Sequence, residues 1–218
     1  MDIHKPKPWH GLREFLKEYL IIVVGVLTAL GGEQLVEWSH RQTEVAEARE
    51  ALHAELAANA TTAKFIAVEV GCLDEQLDAF DGWAKDGPRP GEIRTYLPAY
   101  ASSAWDVVKS GAVAHMPLKE RLAYSRYYDT VDNSRFAIEA TRNVFRQLTG
   151  LQAHETLARE EARRLVEDVG QARLMGRVRV SNARGLVDKA KALGVEPDPY
   201  SPANKASLTR VCGRPFTG

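Results

Sequence analysis

Cys72 and Cys212 are the side chains of this sequence best suited to covalent chemistry, and there is no third thiol. Two thiols are too few for a disulfide-dense scaffold, and they lack the short spacing of a metal knuckle. The six histidines, His4, His10, His40, His53, His115 and His154, lie far from both in sequence, and no two of them have helical ligand spacing. Two descriptions of the cysteines stay open: separate buried thiols, or one disulfide tying the C-terminal tail to the first long helix. The second requires an oxidising compartment. Asp129, Asp132 and Asn133 cluster between apolar stretches, where helix-terminus or turn chemistry accounts for them without calcium. No Gly-rich phosphate loop and no serine nucleophile elbow is present. The chain is therefore expected to be no enzyme, with no cofactor and no metal site.

The compartment depends on the apolar run Leu20 to Leu30. A membrane span needs roughly 20 mostly apolar residues, so this run needs its flanks. Phe15, Leu16 and Tyr19 extend it upstream, and Leu35, Val36 and Trp38 extend it downstream. Tyr19 and Trp38 are spaced to mark opposite interfaces, since about 19 helical residues rise roughly 28 Å. Lys17 can snorkel to a headgroup layer. Glu33 falls near the other, as a solvated carboxylate rather than part of an ion path. A retained anchor is favoured. A signal peptide cut at Ala29-Leu30-Gly31 competes with it, as does a buried helix of a soluble domain. Against cleavage, the helical pattern runs on through Glu33 to Trp38. Against burial, the run leaves no polar face.

Lys5, Lys7, Arg13 and Lys17 precede the span, while only Arg41 and Arg49 follow closely. The positive-inside rule then puts the N-terminus in the cytoplasm and the rest outside, in the periplasm of a Gram-negative bacterium. Gly25, Ala29 and Gly32 form a small-residue stripe that can pair two membrane helices, although such residues are common in any span.

The elements that position everything else are helical. From Leu52 the residues Leu56, Asn59, Ala63, Ile66, Val70, Leu73, Leu77 and Phe80 recur at alternating steps of four and three, a coiled-coil period. Asn59 on that seam can fix register between chains, or the whole stripe can pack on helices of its own chain. Four helical segments follow, which favours the second. Gly87-Pro88-Arg89-Pro90-Gly91 ends the long helix. A short helix is expected from Ser102 to about Ala114, and another from Pro117 to Gly150. A third runs from Leu151 to about Val169. Gly170 and Gly176 weaken what comes next, before a last short helix around Leu186 to Leu193 stopped by Gly194. Pro197, Pro199 and Pro202 introduce an irregular tail. The expected division is a cytoplasmic segment 1–19, a membrane helix 20–38, a helical domain 39–195 and the tail 196–218.

The formal net charge is zero, which gives no reason to expect nucleic acid. One basic stretch, Arg173, Arg177, Arg179, Arg184, Lys189 and Lys191, is countered only by Asp188. It is read as a solvated face rather than a polyanion site.

Leu12 to Leu30, with Phe15-Leu16-Lys17-Glu18, and the segment Ala104-Trp105-Asp106-Val107-Val108-Lys109-Ser110-Gly111 with Leu118, Leu122, Tyr127 and Tyr128 after it, carry a resemblance. Over about residues 10–150 the chain resembles a family of bacterial single-pass membrane proteins with a helical domain of unknown function. The resemblance implies a membrane anchor and a Trp…Ser-Gly…Tyr-Tyr signature, and no reaction. The chain departs from the family pattern at Glu33-Gln34, in extra anchor glycines and in a longer C-terminal part. Trp105, Gly111, Tyr127 and Tyr128 are expected to be a packing cluster, with an aromatic-lined ligand pocket as the alternative.

The expected protein is all-α: a membrane helix continuing into a long helix packed in a bundle. Its expected role is a membrane-anchored interaction or structural protein of the inner membrane, with the helical domain in the periplasm. Its partners would be the membrane, an envelope protein, or a second copy through the membrane helix or the seam. The alternative is a sensory or ligand-binding domain that acts through a partner.

Overall fold

The computed structural model describes residues 11–216. Lys5, Lys7, His4 and His10, and with them much of the charge bias before the span, lie outside the described residues. The protein is all-α, with α1 (Leu12–Trp83), α2 (Ser103–Val108), a 3-10 turn (Ala112–His115), α3 (Leu118–Leu151), α4 (Arg159–Ala192) and α5 (Pro202–Cys212), and no strand among the described residues. It divides into two compact units, residues 1–47 and 48–218.

The first unit, as far as described, is helix. Its apolar run is turned outward: Ile21, Ile22 and Leu27 are more than half exposed. Tyr19 and Trp38 are exposed as well, as are Lys17, Gly25, Ala29 and Gly32. By length and composition this is the one helix among the described residues able to cross a membrane.

The second unit is built around the rest of α1. Leu52, Leu56, Asn59, Ala63, Ile66, Leu73, Leu77 and Phe80 are buried, as the periodicity predicts. So are Ala60, Thr61, Phe65, Glu69 and Cys72. That set is too wide for the narrow seam of a two-helix coil, and α1 is instead covered on several sides by its own chain. α3 and α4 pack against each other, and α4 also packs on α1. The core near the far end of α1 joins Leu73, Leu77, Phe80 and Trp83 to Val144, Phe145, Leu148, Leu165 and Val169.

Four sequence expectations are corrected. The region expected to weaken after Val169 is one continuous helix, α4. A Cβ at Gly176 would come within 3.0 Å of Val70 Cγ1, so this glycine admits α1 rather than breaking α4. Gly194, at φ +79°, does stop the segment. The start near Leu151 is displaced, because residues 152–158 are irregular and α4 begins at Arg159. The tail 196–218 is not irregular throughout, since it contains α5. Ser201 Oγ accepts from Asn204 N at 3.1 Å, Pro202 fills the first helical position, and Gly213 ends the helix at φ +66°. Pro202 opens a helix rather than breaking one, because Ser-Pro is a helix start. Asp129, Asp132 and Asn133 lie inside α3 rather than at a turn, exposed, with Asp132 paired to Arg135 at 3.2 Å.

Candidate functional site

Residues 87–101 carry no regular structure, so their backbone groups need partners from elsewhere. Polar side chains along α1 supply them. Gln76 binds Arg94 at both ends of its amide, donating to the Arg94 carbonyl at 3.0 Å and accepting from its N–H at 2.7 Å. Glu69 accepts from Tyr96 N at 3.0 Å and from the Thr95 hydroxyl at 3.2 Å. Asn59 binds both backbone groups of Ala101 at 2.8 Å. Glu55 then accepts from Ser103 Oγ at 3.0 Å and Ala104 N at 2.9 Å, capping α2 from another helix. The strap thus runs antiparallel to α1, gripped at each stage by a side chain one to three turns nearer the N-terminus. Its other edge is fixed by Arg135, which donates to the Tyr100 carbonyl at 2.9 Å, and by Gln152, which donates to Gly91 O at 2.7 Å.

Of the two roles open to Asn59, pairing with a second chain or packing within its own, the geometry is that of the second. The residue is 2% exposed and its amide is committed to Ala101 of the same chain, so it fixes the strap rather than a partner helix. The expected pairing stripe Gly25, Ala29 and Gly32 lies in the other unit, exposed.

Glu69 is also half of a buried ion pair. Arg179 Nη2 lies 2.5 Å from Glu69 Oε2, with side-chain exposures of 1% and 0%. Burial pushes the Glu69 carboxyl above its ordinary value, and Arg179, Tyr96 N–H and Thr95 offset that in part. Tyr100 beside them is pushed up by burial as well. The basic stretch is therefore not one solvated face. Arg179 is internal, Arg173 is held by Asp78 and Asp81 at 2.6 and 2.7 Å, and Lys191 lies 3.8 Å from Glu196. Arg177 and Arg184 are exposed.

The structure brings Trp105, Tyr127 and Tyr128 together. Trp105 stacks on Tyr128 with ring centroids 4.8 Å apart and planes at 9°, and Tyr127 meets Tyr128 edge-on at 5.3 Å. The Tyr128 hydroxyl donates to Glu55 Oε1 at 2.6 Å, and burial together with that bond raises its pKa. Rings in contact and a satisfied hydroxyl describe packing, not a lined pocket. Gly111 stands apart from them, exposed at the start of the 3-10 turn. Glu55 is the organiser that sequence reasoning missed. Glu55, Glu69 and Gln76 share one heptad position, and that spacing was the available signal. Replacing Glu55 with Ala should cost about 2–3 kcal/mol, because it removes several charge-assisted hydrogen bonds at once. Urea unfolding of the full chain in detergent reads this, and a change below about 0.5 kcal/mol would contradict the capping role.

A second pair marks where the chain enters this unit. Arg49 and Glu120 make two hydrogen bonds at 2.7 and 2.8 Å. The Arg49 guanidinium holds the Glu120 carboxyl below the usual carboxylate range. Tyr124 beside them is pushed up to about 12, by burial first and Glu120 next. A depressed carboxylate contributes stability that is full above its unfolded value, near ~4.3, and is lost as pH falls through the folded value. Glu120→Gln should therefore flatten the acid limb of stability below about pH 5, by no more than about 1 kcal/mol for so open a pair. An unchanged acid limb would contradict it.

Cys72 of α1 and Cys212 of α5 form a disulfide, with Cα atoms 4.9 Å apart. Around it, Gln76 donates to Val211 O at 3.1 Å and Arg214 pairs with Glu75 at 2.9 Å. A groove of about 450 Å³ is lined by Gln76, Phe80, Pro90, Glu92 and Arg94. Among the described residues, no group of three or more His, Cys, Asp or Glu side chains could hold a metal ion. No known family, characterised protein or solved structure matches this chain.

Proposed function

We propose that this protein is a single-pass, membrane-anchored interaction or structural protein of the bacterial cell envelope, with its helical domain in the periplasm and no catalytic role. One observation carries the reading: an apolar helical run exposed to its surroundings is followed in the same helix by the core of a disulfide-tied domain. Such a run is costly in water and suited to lipid, and a disulfide suits an oxidising compartment. The charge bias before the span supports an N-terminus in the cytoplasm. An aromatic-lined cavity around Trp105 and Tyr127 would favour the sensory alternative, and the packing of both rings against Tyr128 gives it no support.

Alkaline phosphatase and a fluorescent protein, fused in turn after Gly218, test the reading in fractionated cells. Phosphatase activity in the membrane fraction is expected. Activity in the soluble fraction would mean a released protein, and fluorescence without phosphatase activity would put the domain in the cytoplasm.

A further inference from the structure

The buried ion pair leaves hydrogen-bond donors over. Arg179 spends Nη2 on Glu69 Oε2. Its Nε and Nη1 are buried and meet no acceptor among the described residues, and the buried Tyr100 hydroxyl meets no partner either. The polar groups around them are already engaged. Glu69 Oε1 accepts from Tyr96 N–H and the Thr95 hydroxyl, and the Asn59 amide is committed at both ends to Ala101. A buried donor without an acceptor carries the full desolvation cost of its group, and a charged group more of it. Buried polar atoms of this kind are ordinarily satisfied by protein or by ordered water. The surplus here is of donors, so the missing partner must accept.

The two side chains reach the same place from different elements, Tyr100 from the strap and Arg179 from α4. Arg179 and Glu69 both act electrostatically on the Tyr100 hydroxyl. The buried neighbours of Arg179 along α4 are small, Gly176 one turn before it and Ala183 one turn after. Charge balance selects the ligand. Glu69 already balances Arg179, and burial already disfavours that one carboxylate. A bound anion would add a second negative charge that the pair does not match. A water adds no charge, accepts from the donors and has two hydrogens to give in return. We propose that an ordered internal water bridges the Arg179 guanidinium and the Tyr100 hydroxyl, and so ties the strap to α4 as Asn59 and Arg135 tie it to α1 and α3. One fixed water is a hydrogen-bond partner and no solvent for charge, so Glu69 still depends on Arg179.

Water-selective NMR tests it on the full chain in detergent, with Cys72 and Cys212 left bonded and the arginine nitrogens isotope-labelled. Through-bond assignment identifies the Arg179 Nε–H. A rotating-frame Overhauser peak between that proton and water, opposite in sign to proton exchange, is expected. Tyr100→Phe, which keeps the ring and deletes only the hydroxyl, should remove most of the peak. It should also lower the melting temperature by about 2–4 °C, the shift for one hydrogen bond lost from a domain of this size. Absence of the peak in the natural chain, where the Nε–H itself is observed, would overturn the proposal. A lower melting temperature in Tyr100→Phe without a water peak in the natural chain would assign a direct contact between the two side chains. A peak of full strength in Tyr100→Phe would leave water on Arg179 alone and overturn the bridge. A melting temperature that rises when chloride replaces gluconate at equal ionic strength, in the natural chain and not in Tyr100→Phe, would assign an anion and overturn the water.

Discussion

Arg179→Met should cost about 3–5 kcal/mol, the largest effect expected of any single substitution here, because it leaves Glu69 charged and buried without its counter-ion. Both side chains are almost fully enclosed, so water cannot replace the lost partner. Glu69 would then also grip Tyr96 and Thr95 from a carboxyl that favours its neutral form. The pH dependence has a definite sign. Burial already raises the Glu69 pKa, and a carboxyl with a raised folded value is best tolerated when protonated. Its contribution is most favourable below the unfolded value and worsens as pH climbs through the folded one. The Arg179→Met variant should therefore regain stability as pH falls from neutral toward the carboxylate range. The double variant Glu69→Leu/Arg179→Met removes both charges and should recover most of the loss at pH 7. Urea unfolding of the full chain in detergent reads all three. A single-variant loss below about 1 kcal/mol would show that the pair is hydrated and does not organise the core.

Removing the disulfide, which takes two substitutions, should have an effect of similar size. Cys72 and Cys212 are 140 residues apart, and the loop-closure model gives about 5 kcal/mol for a loop of that size. For a domain of this size that corresponds to a fall in melting temperature of roughly 10–20 °C. α5 should loosen first, because Leu208 and Val211 are its buried anchors and its remaining ties to α1 are few. Cys72→Ser/Cys212→Ser and reduction of the natural chain should give the same shift. Hydrogen exchange should show faster amide exchange in 202–212 than in α3 and α4. A melting temperature unmoved by reduction would contradict a closed bond in the folded protein.

The parts of this fold legible in the sequence follow from local pattern. The apolar steps from Leu52 to Phe80 marked the buried side of α1, the Gly-Pro cluster at 87–91 marked its end, and Pro117 and Gly150 bounded α3 closely. What escaped depended on contacts between distant residues. Gly176 looked like a helix breaker because its close neighbour, Val70, belongs to another helix. Arg179 looked like one cation in a basic stretch because its partner is 110 residues away. Asn59 sat on a coiled-coil period, which is the same whether the seam is covered by a second chain or by the strap. Glu55, Glu69 and Gln76 were hidden differently: a stripe of acids and amides beside an apolar seam ordinarily faces water, and here it replaces the hydrogen-bonding edge that residues 94–104 lack.

The central claim is an anchored chain whose domain matures in an oxidising compartment. Its most direct test is one mass measurement on protein from cells, after alkaline washing of the membranes and denaturing alkylation without reductant. The account predicts the chain in the washed membrane pellet, retaining Leu20 to Leu30 and carrying no alkyl group on Cys72 or Cys212. A chain in the wash that begins after Gly31, or a chain with both cysteines alkylated, would contradict it.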